Sequence, residues 1–303
     1  MKYDVIIIGG GPAGLTAAVY ARRSGKSVLL LEAKSCGGQI INTPDIENYP
    51  VEMHISGYDF ATRLTEQARA LGAEIVLEKA TDLRLNGSEK TVTTAKNAYE
   101  GRSVIIATGS AARKLGLENE DALVGRGVSY CATCDGNFFR KKKVAVVGGG
   151  NTALEDALYL ADLADTVYLI HRRDAFRGED ATLARLKARE NVRIIYNSTV
   201  TALRADKRLR SIEVTNKDGS VAELEINGLF VAVGRIPENR NFAAAVDLDE
   251  AGYAVAGENC RTRTPGVFVA GDNRTKDVRQ LVTAAADGAV AATEAVKYMN
   301  EMR

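Results

Sequence analysis

The sequence feature that most limits the fold of this chain is a glycine-rich turn that occurs twice. Residues 9–14 (GGGPAG) follow an apolar strand pattern and open a helical pattern, and residues 148–153 (GGGNTA) repeat this layout 139 positions later. A G-x-G-x-x-G or G-x-G-x-x-A turn between a strand and a helix is typical of a Rossmann domain, whose helix N-terminus binds a pyrophosphate. The chain is therefore predicted to be an α/β protein with two Rossmann-like dinucleotide-binding domains.

The residue that follows the second strand differs between the two copies. In the first copy it is Glu32, 18 positions after the last glycine, and a carboxylate there can accept hydrogen bonds from a ribose diol. In the second copy the equivalent position is His171, followed by Arg172 and Arg173, with Arg177 a turn further on. Arginines pair with a 2′-phosphate, which a carboxylate would repel, so the second site is predicted to bind NADPH rather than NADH.

A close pair of cysteines, Cys131 and Cys134, lies shortly before the second glycine turn. Their spacing lets the two sulfurs reach bonding distance without a long-range movement of the chain. A dithiol between two dinucleotide sites is typical of an electron relay, so we predict that the chain reduces a disulfide. The other cysteines, Cys36 and Cys260, are expected to be packing residues. No metal site is expected, because neither histidine of the chain lies near the pair in sequence.

Three later strand patterns end in small or acidic residues, at Gly109, Gly234 and Asp272. The second glycine turn and the strand ending at Gly234 fall between the other two strands, which is simplest to explain if the second domain is inserted into the first. The predicted segments are 1–112 and 244–303 for the first domain and 113–243 for the inserted domain, which carries the dithiol, with hinges at 110–117 and 237–245.

Length and charge set further limits on the chain. Its 303 residues are enough for two domains, and 40 Lys and Arg residues nearly balance 39 Asp and Glu residues. The net charge of +1 gives no overall field that would attract nucleic acid or an anionic membrane. The most apolar early segment, residues 5–21, is interrupted by glycines and by Pro12, and no signal-peptide pattern precedes it, so we expect a cytoplasmic location. The basic run at 140–143 (RKKK) is expected to be a solvated turn or a docking patch for an acidic partner.

Four short segments carry a resemblance to known enzymes: CATCDG at 131–136, VGGGNTA at 147–153, HRR at 171–173, and AGD at 270–272 followed by RQ. In this order they resemble, over essentially the whole chain, the low-molecular-weight (bacterial-type) thioredoxin reductases of the pyridine nucleotide-disulfide oxidoreductase family. The resemblance implies a homodimeric flavoprotein that takes hydride from NADPH and reduces thioredoxin. It also implies that the first domain binds FAD and that the inserted domain binds NADPH.

The resemblance also assigns roles to single residues. It implies that Cys134 faces the flavin, that Cys131 attacks the disulfide of thioredoxin, and that Asp135 is a candidate general acid, with a helix-capping aspartate as the alternative interpretation. Asp272 would hold the ribityl chain, and a helix beginning near Arg279 would direct its N-terminus at the flavin. The candidate cofactor contacts of the first domain are Gly9, Gly11, Pro12, Ala13, Gly14, Glu32, Gly37, Gly38, Gln39, Asn48, Gly109, Asp272, Arg279, Gln280 and Leu281. Those of the inserted domain are Gly148, Gly149, Gly150, Asn151, Thr152, Ala153, His171, Arg172, Arg173 and Arg177.

Three places depart from the pattern of that family. Residues 51–54 stand where a glycine usually follows the ENYP run at 47–50, which leaves the shape of a flavin-side loop open. Asn137 replaces a common aromatic residue, and Arg235 replaces a common histidine. The alternatives are a related flavoprotein that acts on another protein disulfide or a small-molecule dithiol, a variant that takes electrons from ferredoxin, and a redox sensor without turnover. The intact second glycine turn and its arginines argue against ferredoxin as the electron donor.

Overall fold

The computed structural model describes residues 2–43 and 45–302 and divides the chain into two compact units. The first unit consists of Met1–Ala111 and Ile236–Arg303, and the second consists of Ala112–Arg235. The second unit is therefore inserted in sequence between two parts of the first. Each unit contains parallel strands with a glycine turn and a helix after its central strand, which confirms the predicted α/β class.

Seventeen strands lie in the described part of the chain. In chain order they are β1 (Lys2–Ile8), β2 (Val28–Leu31), β3 (Glu74–Val76), β4 (Ala80–Arg84), β5 (Lys90–Thr94), β6 (Ala98–Ile106), β7 (Ser110–Ala112), β8 (Val128–Ser129), β9 (Lys143–Gly148), β10 (Thr166–Ile170), β11 (Val192–Ile195), β12 (Ser198–Ala205), β13 (Leu209–Asn216), β14 (Val221–Glu225), β15 (Gly228–Ala232), β16 (Arg235–Pro237) and β17 (Val267–Val269).

Helices connect most of the parallel strands. The α-helices are α1 (Pro12–Arg23), α2 (Gly57–Ala70), α3 (Ala132–Asp135), α4 (Asn151–Ala161), α5 (Asp180–Lys187) and α6 (Leu281–Glu301), and short 3-10 helices cover Gly38–Asn42, Asp121–Leu123, Gly136–Phe139 and Arg240–Phe242. Among the residues that the structure describes, no helix is both long and apolar enough to span a membrane.

The sheet of the first unit has the strand order β3-β2-β1-β6-β5-β4, and β17 also pairs with β6. Strand β1 is parallel to β2 and β6, with Ile7 opposite Leu30 and Ile105. These strands are apolar along most of their length because parallel strands are covered on both faces. Helices α1 and α6 pack together through small side chains such as Ala17 and Ala291, so the glycine turn that precedes α1 lies beside α6.

The second unit has a parallel sheet of order β11-β10-β9-β15-β8 and a separate antiparallel sheet, β12-β13-β14. Strand β9 pairs with β10 and β15, so the glycine turn after β9 lies at the carboxyl edge of the sheet, where nucleotides bind in such folds. Helix α3 packs against α4, and Ala132 is fully buried with Ala153, Leu154 and Ala157. The dithiol segment and the second glycine turn are therefore fixed to the same helix.

The chain passes from one unit to the other within two short strands, β7 and β16, which pair with each other. The first passage lies inside the predicted hinge at 110–117. The second precedes the predicted hinge at 237–245, because residues 236–243 belong to the first unit and not to the inserted one. A hydrogen bond holds this segment in the first unit, since the N–H of Glu238 donates to the carbonyl of Gly109 (3.3 Å).

Candidate active site

Of the three glycines in the first G-x-G-x-x-G pattern, the packing of the chain itself requires two and does not require the third. A Cβ on Gly9, whose φ is +109°, would overlap the carbonyl of Ala107, and a Cβ on Gly14 would overlap the carbonyl of Gly9. A Cβ on Gly11 would meet no atom within 4 Å. Helix α1 begins at Pro12 without a side-chain cap, so the N–H groups of its first turn face this open space. The turn fits a pyrophosphate at the helix N-terminus.

Glu32 is fixed beside this turn. Its Oε2 accepts a hydrogen bond from the N–H of Gly10 (2.7 Å), and its Oε1 accepts one from the N–H of Lys34 (2.8 Å). A carboxylate has about four acceptor positions, so both oxygens can still accept hydrogen bonds from a ribose diol. The structure thus places the carboxylate that is predicted to bind the ribose next to the predicted pyrophosphate site.

Three further glycines and one glutamine of the predicted flavin site lie around the same turn. Gly38 approaches Gly11 closely, since a Cβ on Gly38 would lie 3.3 Å from the Cα of Gly11. Gly37 adopts a φ of +116°, and Gly109 a φ of +68° with open space where a Cβ would be. The side chain of Gln39 donates a hydrogen bond to the carbonyl of Ser110.

The structure brings Asn48 and Gln280 together at the start of α6. The Nδ2 of Asn48 donates to the Oε1 of Gln280 (3.2 Å). Gln280 is the N-cap of α6 and forms a capping box with Thr283, so that Leu281 is the first helical residue. The helix therefore begins two residues after Arg279, close to the predicted start, and its N-terminus lies beside Asn48.

Asp272 and Arg279 stand at opposite ends of the segment between β17 and α6. Asp272 is half-buried and follows Gly271, where a Cβ would lie 2.9 Å from the Cβ of Ala13 in the first glycine turn. Arg279 places its guanidinium 4.1 Å from the ring centre of Tyr253. Its buried Nε has no hydrogen-bond partner in the described part of the chain, a donor that a bound anion could satisfy.

The second glycine turn repeats the steric pattern of the first. A Cβ on Gly148 would overlap the carbonyl of Ala232 and lie 2.6 Å from the Cβ of Ala153, whereas a Cβ on Gly150 would meet nothing within 4 Å. Helix α4 begins at Asn151 with Gly150 as its N-cap and no side-chain cap. The same open space therefore lies at the N-terminus of this helix.

His171, predicted to contact the nucleotide, lies inside the protein. It is 6% exposed, it stacks on Phe176 with ring centres 4.8 Å apart, and its Nε2 donates to the carbonyl of Ala175 (3.0 Å). A Cβ on Gly149 would overlap the imidazole ring, so the glycine is needed to seat the histidine. Burial lowers the pKa of His171, which favours the neutral ring. The side chain packs beneath the glycine turn because it points inward where β10 ends.

The three arginines that follow His171 are exposed on a loop attached to the second glycine turn. The N–H of Arg177 donates to the carbonyl of Gly149 (2.7 Å), and the N–H of Glu179 donates to the Oδ1 of Asn151 (2.8 Å). In the part of the chain that the structure describes, neither Arg172 nor Arg173 forms an ion pair. The loop thus holds the guanidinium groups of Arg172, Arg173 and Arg177 in solvent, beside the open N-terminus of α4.

The predicted dithiol is a disulfide in this structure. The Sγ atoms of Cys131 and Cys134 are 2.09 Å apart, and the Cα atoms are 5.3 Å apart. Cys131 is the N-cap of α3, and both cysteines are partly exposed. The free cysteines differ from this pair: Cys260 is fully buried, and burial raises the pKas of the thiols of both Cys260 and Cys36.

Asp135 lies next to the disulfide, and the hydroxyl of Ser129 forms hydrogen bonds with both Asp135 and Cys131. Ser129 Oγ donates to the Oδ2 of Asp135 (2.6 Å) and accepts a hydrogen bond from the N–H of Cys131 (3.1 Å). Burial raises the pKa of Asp135, and the hydrogen bond from Ser129 partly opposes that effect. As the N-cap of the following 3-10 helix, the Asp135 side chain makes no capping hydrogen bond.

The atypical stretch at 51–54 forms an exposed turn. Val51 is fully exposed with a φ of +81°, and an isolated bridge between Ile46 and Ile55 closes the turn. His54 pairs with Asp45 (Nδ1 to Oδ2, 2.8 Å), and this hydrogen bond raises the pKa of His54. These contacts close the segment from Asp45 to Ile55 into a loop that contains Asn48.

Sequence reasoning missed two groups near these sites. Ser129 precedes the cysteine pair and belongs to no motif, so only its contact with Asp135 reveals it. The buried ion pairs of Asp287 with Arg274 and Lys276 join a loop to a helix, and no local spacing in the sequence signals them.

Similarity to known proteins agrees with this geometry. A family model described as pyridine nucleotide-disulphide oxidoreductase matches residues 3–289. A thioredoxin reductase of Listeria innocua is 43% identical over 304 residues, covering 99% of this chain and 95% of that protein. A thioredoxin reductase structure from Streptococcus pyogenes is 39% identical with a TM-score of 0.93 and 99% coverage of both chains. A thioredoxin reductase structure from Lactococcus lactis in the FR conformation is 41% identical with a TM-score of 0.70, covering 99% of this chain and 100% of that one.

These similarities extend over the glycine turns, the disulfide and the segment before α6. They confirm the family that the motifs indicated and agree with the two dinucleotide-binding folds seen in the structure. The chain belongs to the pyridine nucleotide-disulphide oxidoreductase family and, within it, to the thioredoxin reductases.

Proposed function

We propose that this chain is an NADPH-dependent flavoprotein that passes electrons through FAD and the Cys131–Cys134 pair to the disulfide of thioredoxin. The observation that carries the proposal is the closed Cys131–Cys134 disulfide, which packs through α3 on the helix that opens at the second glycine turn. A redox-active pair and a nucleotide-type turn on one unit are what a disulfide reductase needs. Membership in the thioredoxin reductases supports thioredoxin as the substrate.

We assign FAD to the first unit and NADPH to the second. The first unit offers the open turn at Gly11, the Glu32 carboxylate and the N-terminus of α6, which favour a pyrophosphate, a ribose diol and an electron-rich ring. The second offers the open turn at Gly150 and the exposed Arg172 and Arg173, which suit a 2′-phosphate. Bound FAD would supply a two-electron store between the nicotinamide and the dithiol.

In the reduced protein, the thiolate of Cys131 attacks one sulfur of the thioredoxin disulfide, forming a mixed disulfide and releasing the other sulfur as a thiolate. The Cys134 thiolate then attacks the Cys131 sulfur, which restores the Cys131–Cys134 disulfide and releases reduced thioredoxin. Asp135, held by Ser129 and raised in pKa by burial, donates a proton to a leaving thiolate. Two thiols of the protein are oxidised, and two sulfurs of thioredoxin are reduced.

The test is NADPH oxidation by the purified holoprotein, with and without thioredoxin from the same source. We expect NADPH to bleach the oxidised flavin absorbance and added thioredoxin to restore it, with steady NADPH consumption only when thioredoxin is present. Replacing thioredoxin with a small-molecule disulfide provides a control for the related-flavoprotein alternative, which Asn137 beside the dithiol keeps open. Fast turnover with the small disulfide and none with thioredoxin would favour that alternative.

We further propose a homodimer in the cytoplasm, where NADPH is supplied and thiols are kept reduced. The resemblance to the thioredoxin reductases supports both assignments. Sedimentation of the holoprotein at several concentrations should give the mass of two chains, and a single-chain mass at working concentrations would contradict the dimer.

A further inference from the structure

Three charged side chains are buried together behind the first glycine turn. Asp287 of α6 accepts hydrogen bonds from Arg274, Nε to Oδ2 at 2.8 Å and Nη2 to Oδ1 at 2.7 Å, and from Lys276, Nζ to Oδ2 at 3.0 Å. Each side chain is at most 8% exposed. Lysine, arginine and aspartate are almost never buried this completely unless paired, and here two cations share one carboxylate.

The charges in this cluster do not cancel. Burial alone would raise the pKa of Asp287, but the hydrogen bonds from Arg274 and Lys276 lower it, so the carboxylate is ionised at neutral pH. Cys260 Sγ lies 3.7 Å from the carbonyl of Asp287, yet burial raises its pKa to about 12, so this thiol adds no negative charge. Glu258, the other carboxylate that acts on Arg274, is exposed to solvent. The net charge of the Arg274–Asp287–Lys276 cluster itself is therefore +1.

The cluster is connected directly to the first glycine turn. The Oδ2 of Asp287 accepts a hydrogen bond from the N–H of Gly271 (2.9 Å). A Cβ on Gly271 would lie 2.9 Å from the Cβ of Ala13, and a Cβ on Gly288 would overlap the carbonyl of Ala13. The surplus positive charge thus lies behind the N-terminal turn of α1, on the protein side of the proposed pyrophosphate site.

An uncompensated charge inside a protein is unfavourable, and an anion bound nearby relieves it. We propose that Lys276, through the Arg274–Asp287–Lys276 cluster, is a positioning residue whose surplus charge strengthens the binding of the FAD pyrophosphate. This inference rests on the proposed binding of FAD to the first unit. Because Lys276 Nζ is held by Asp287 and by the carbonyl of Thr283, we expect its effect to be electrostatic and to act through the buried cluster.

The test compares Lys276→Met and Lys276→Gln with Lys297→Met. Lys297 is an exposed lysine of α6 paired with Glu294 at 2.6 Å, so its replacement removes the same formal charge from the surface of the helix that carries Asp287. Each apoprotein is titrated with FAD by flavin fluorescence, and its thermal unfolding is recorded with and without FAD. The loss of a unit charge that acts on a nearby anion at an effective dielectric constant near 20 predicts an about tenfold weaker FAD Kd for both Lys276 variants.

We expect Lys297→Met to bind FAD like wild type, and the Lys276 apoproteins to melt no lower than the wild-type apoprotein, since an uncompensated buried charge has been removed. An unchanged FAD Kd with a lower apoprotein Tm would show that the cluster is only a structural ion network and would overturn the proposal. Equal weakening in Lys276→Met and Lys297→Met would overturn it as well, because the effect would then follow overall charge. Failure of the wild-type apoprotein to bind FAD would contradict the proposed function itself.

Discussion

The hydroxyl of Ser129 lowers the proton affinity of Asp135 beside the disulfide. Burial raises the pKa of Asp135, and the hydrogen bond from Ser129 lowers it part of the way back. A proton donor works only while protonated, so the rate of thioredoxin reduction should fall as the pH rises through this pKa. Replacing Ser129 with Ala removes the hydrogen bond that lowers the pKa of Asp135. Because the pKa then rises, we expect the fall in rate to move to higher pH.

The measurement is the pH profile of kcat/KM for thioredoxin. Ser198→Ala is the matched control, because it removes a buried hydroxyl of the same unit that donates to a backbone carbonyl, that of Tyr196. Its profile should match wild type. Asp135→Asn should react slowly throughout and lose the alkaline fall. If Ser129→Ala keeps the wild-type profile, Asp135 is not the proton donor.

Arg172 and Arg173 are expected to determine the preference for NADPH over NADH. Losing two charge-assisted bidentate contacts, each worth roughly 1.5–3 kcal/mol, should raise the KM for NADPH at least about tenfold in the Arg172→Ala/Arg173→Ala variant. The KM for NADH should barely change, because NADH carries no 2′-phosphate. Arg204→Ala/Arg208→Ala removes two exposed arginines elsewhere in the same unit and should leave both constants unaltered. Equal use of NADH and NADPH by wild type would show that the assignment of these arginines is wrong.

At the scale of elements, each strand–turn–helix motif contains two kinds of glycine, one required for folding and one that leaves space for the nucleotide. Gly14→Ala and Gly148→Ala place a Cβ onto a backbone carbonyl and should lower the free energy of unfolding of the apoprotein by about 1–3 kcal/mol. Gly11→Ala and Gly150→Ala place it in open space at ordinary φ values of −75° and −101°, and should change that free energy by less than about 0.5 kcal/mol.

The same four variants should separate binding from folding. Gly11→Ala should weaken FAD binding and Gly150→Ala should weaken NADPH binding, because the added methyl group occupies the space where the pyrophosphate must approach the backbone. Unfolding of the apoproteins and dinucleotide titrations check this. Normal NADPH affinity in a well-folded Gly150→Ala protein would place the nucleotide elsewhere.

Local patterns in the sequence predicted the parts of the site that are local. The glycine turns, the CxxC pair and the arginine loop all depend on fixed spacing within one element or turn. Spacing gives the place of His171 at the end of β10, and its assignment to the nucleotide stays a prediction. The direction of its ring depends on packing with Gly149 and Phe176, which no local spacing gives. Ser129 remained undetected for a similar reason, since its importance comes from Asp135.

Interactions between distant segments account for the remaining differences. The insertion was predicted from the order of the motifs, whereas the second unit ends at Arg235, before a segment with contacts far along the chain such as the hydrogen bond from Glu238 to Gly109. The pairing of Asp287 with Arg274 and Lys276 is of the same kind, linking a helix to a preceding loop. Such contacts follow from tertiary packing and have no period that a sequence pattern could reveal.

For the whole molecule, we expect the second unit to rotate during turnover. A flavin bound to the first unit would offer one accessible face. Because the proposed nicotinamide site and the dithiol both belong to the second unit, we expect them to use that face in turn. Both connections between the units run through the short strands β7 and β16, where we expect the backbone to change. A short cross-linker between one cysteine introduced in each unit, with Cys36 and Cys260 replaced by Ser, should permit one half-reaction and block the other. Full turnover in the cross-linked protein would rule the rotation out.

The central claim is that electrons from NADPH reach thioredoxin only through the Cys131–Cys134 pair. The most direct test is anaerobic mixing of NADPH and oxidised thioredoxin with wild type, Cys131→Ser and Cys134→Ser, following flavin absorbance and the thiols formed on thioredoxin. We predict that NADPH reduces the flavin in all three proteins, that wild type forms one reduced thioredoxin for each NADPH consumed, and that neither variant forms any. Reduction of thioredoxin at the wild-type rate by a variant lacking either cysteine would contradict the account.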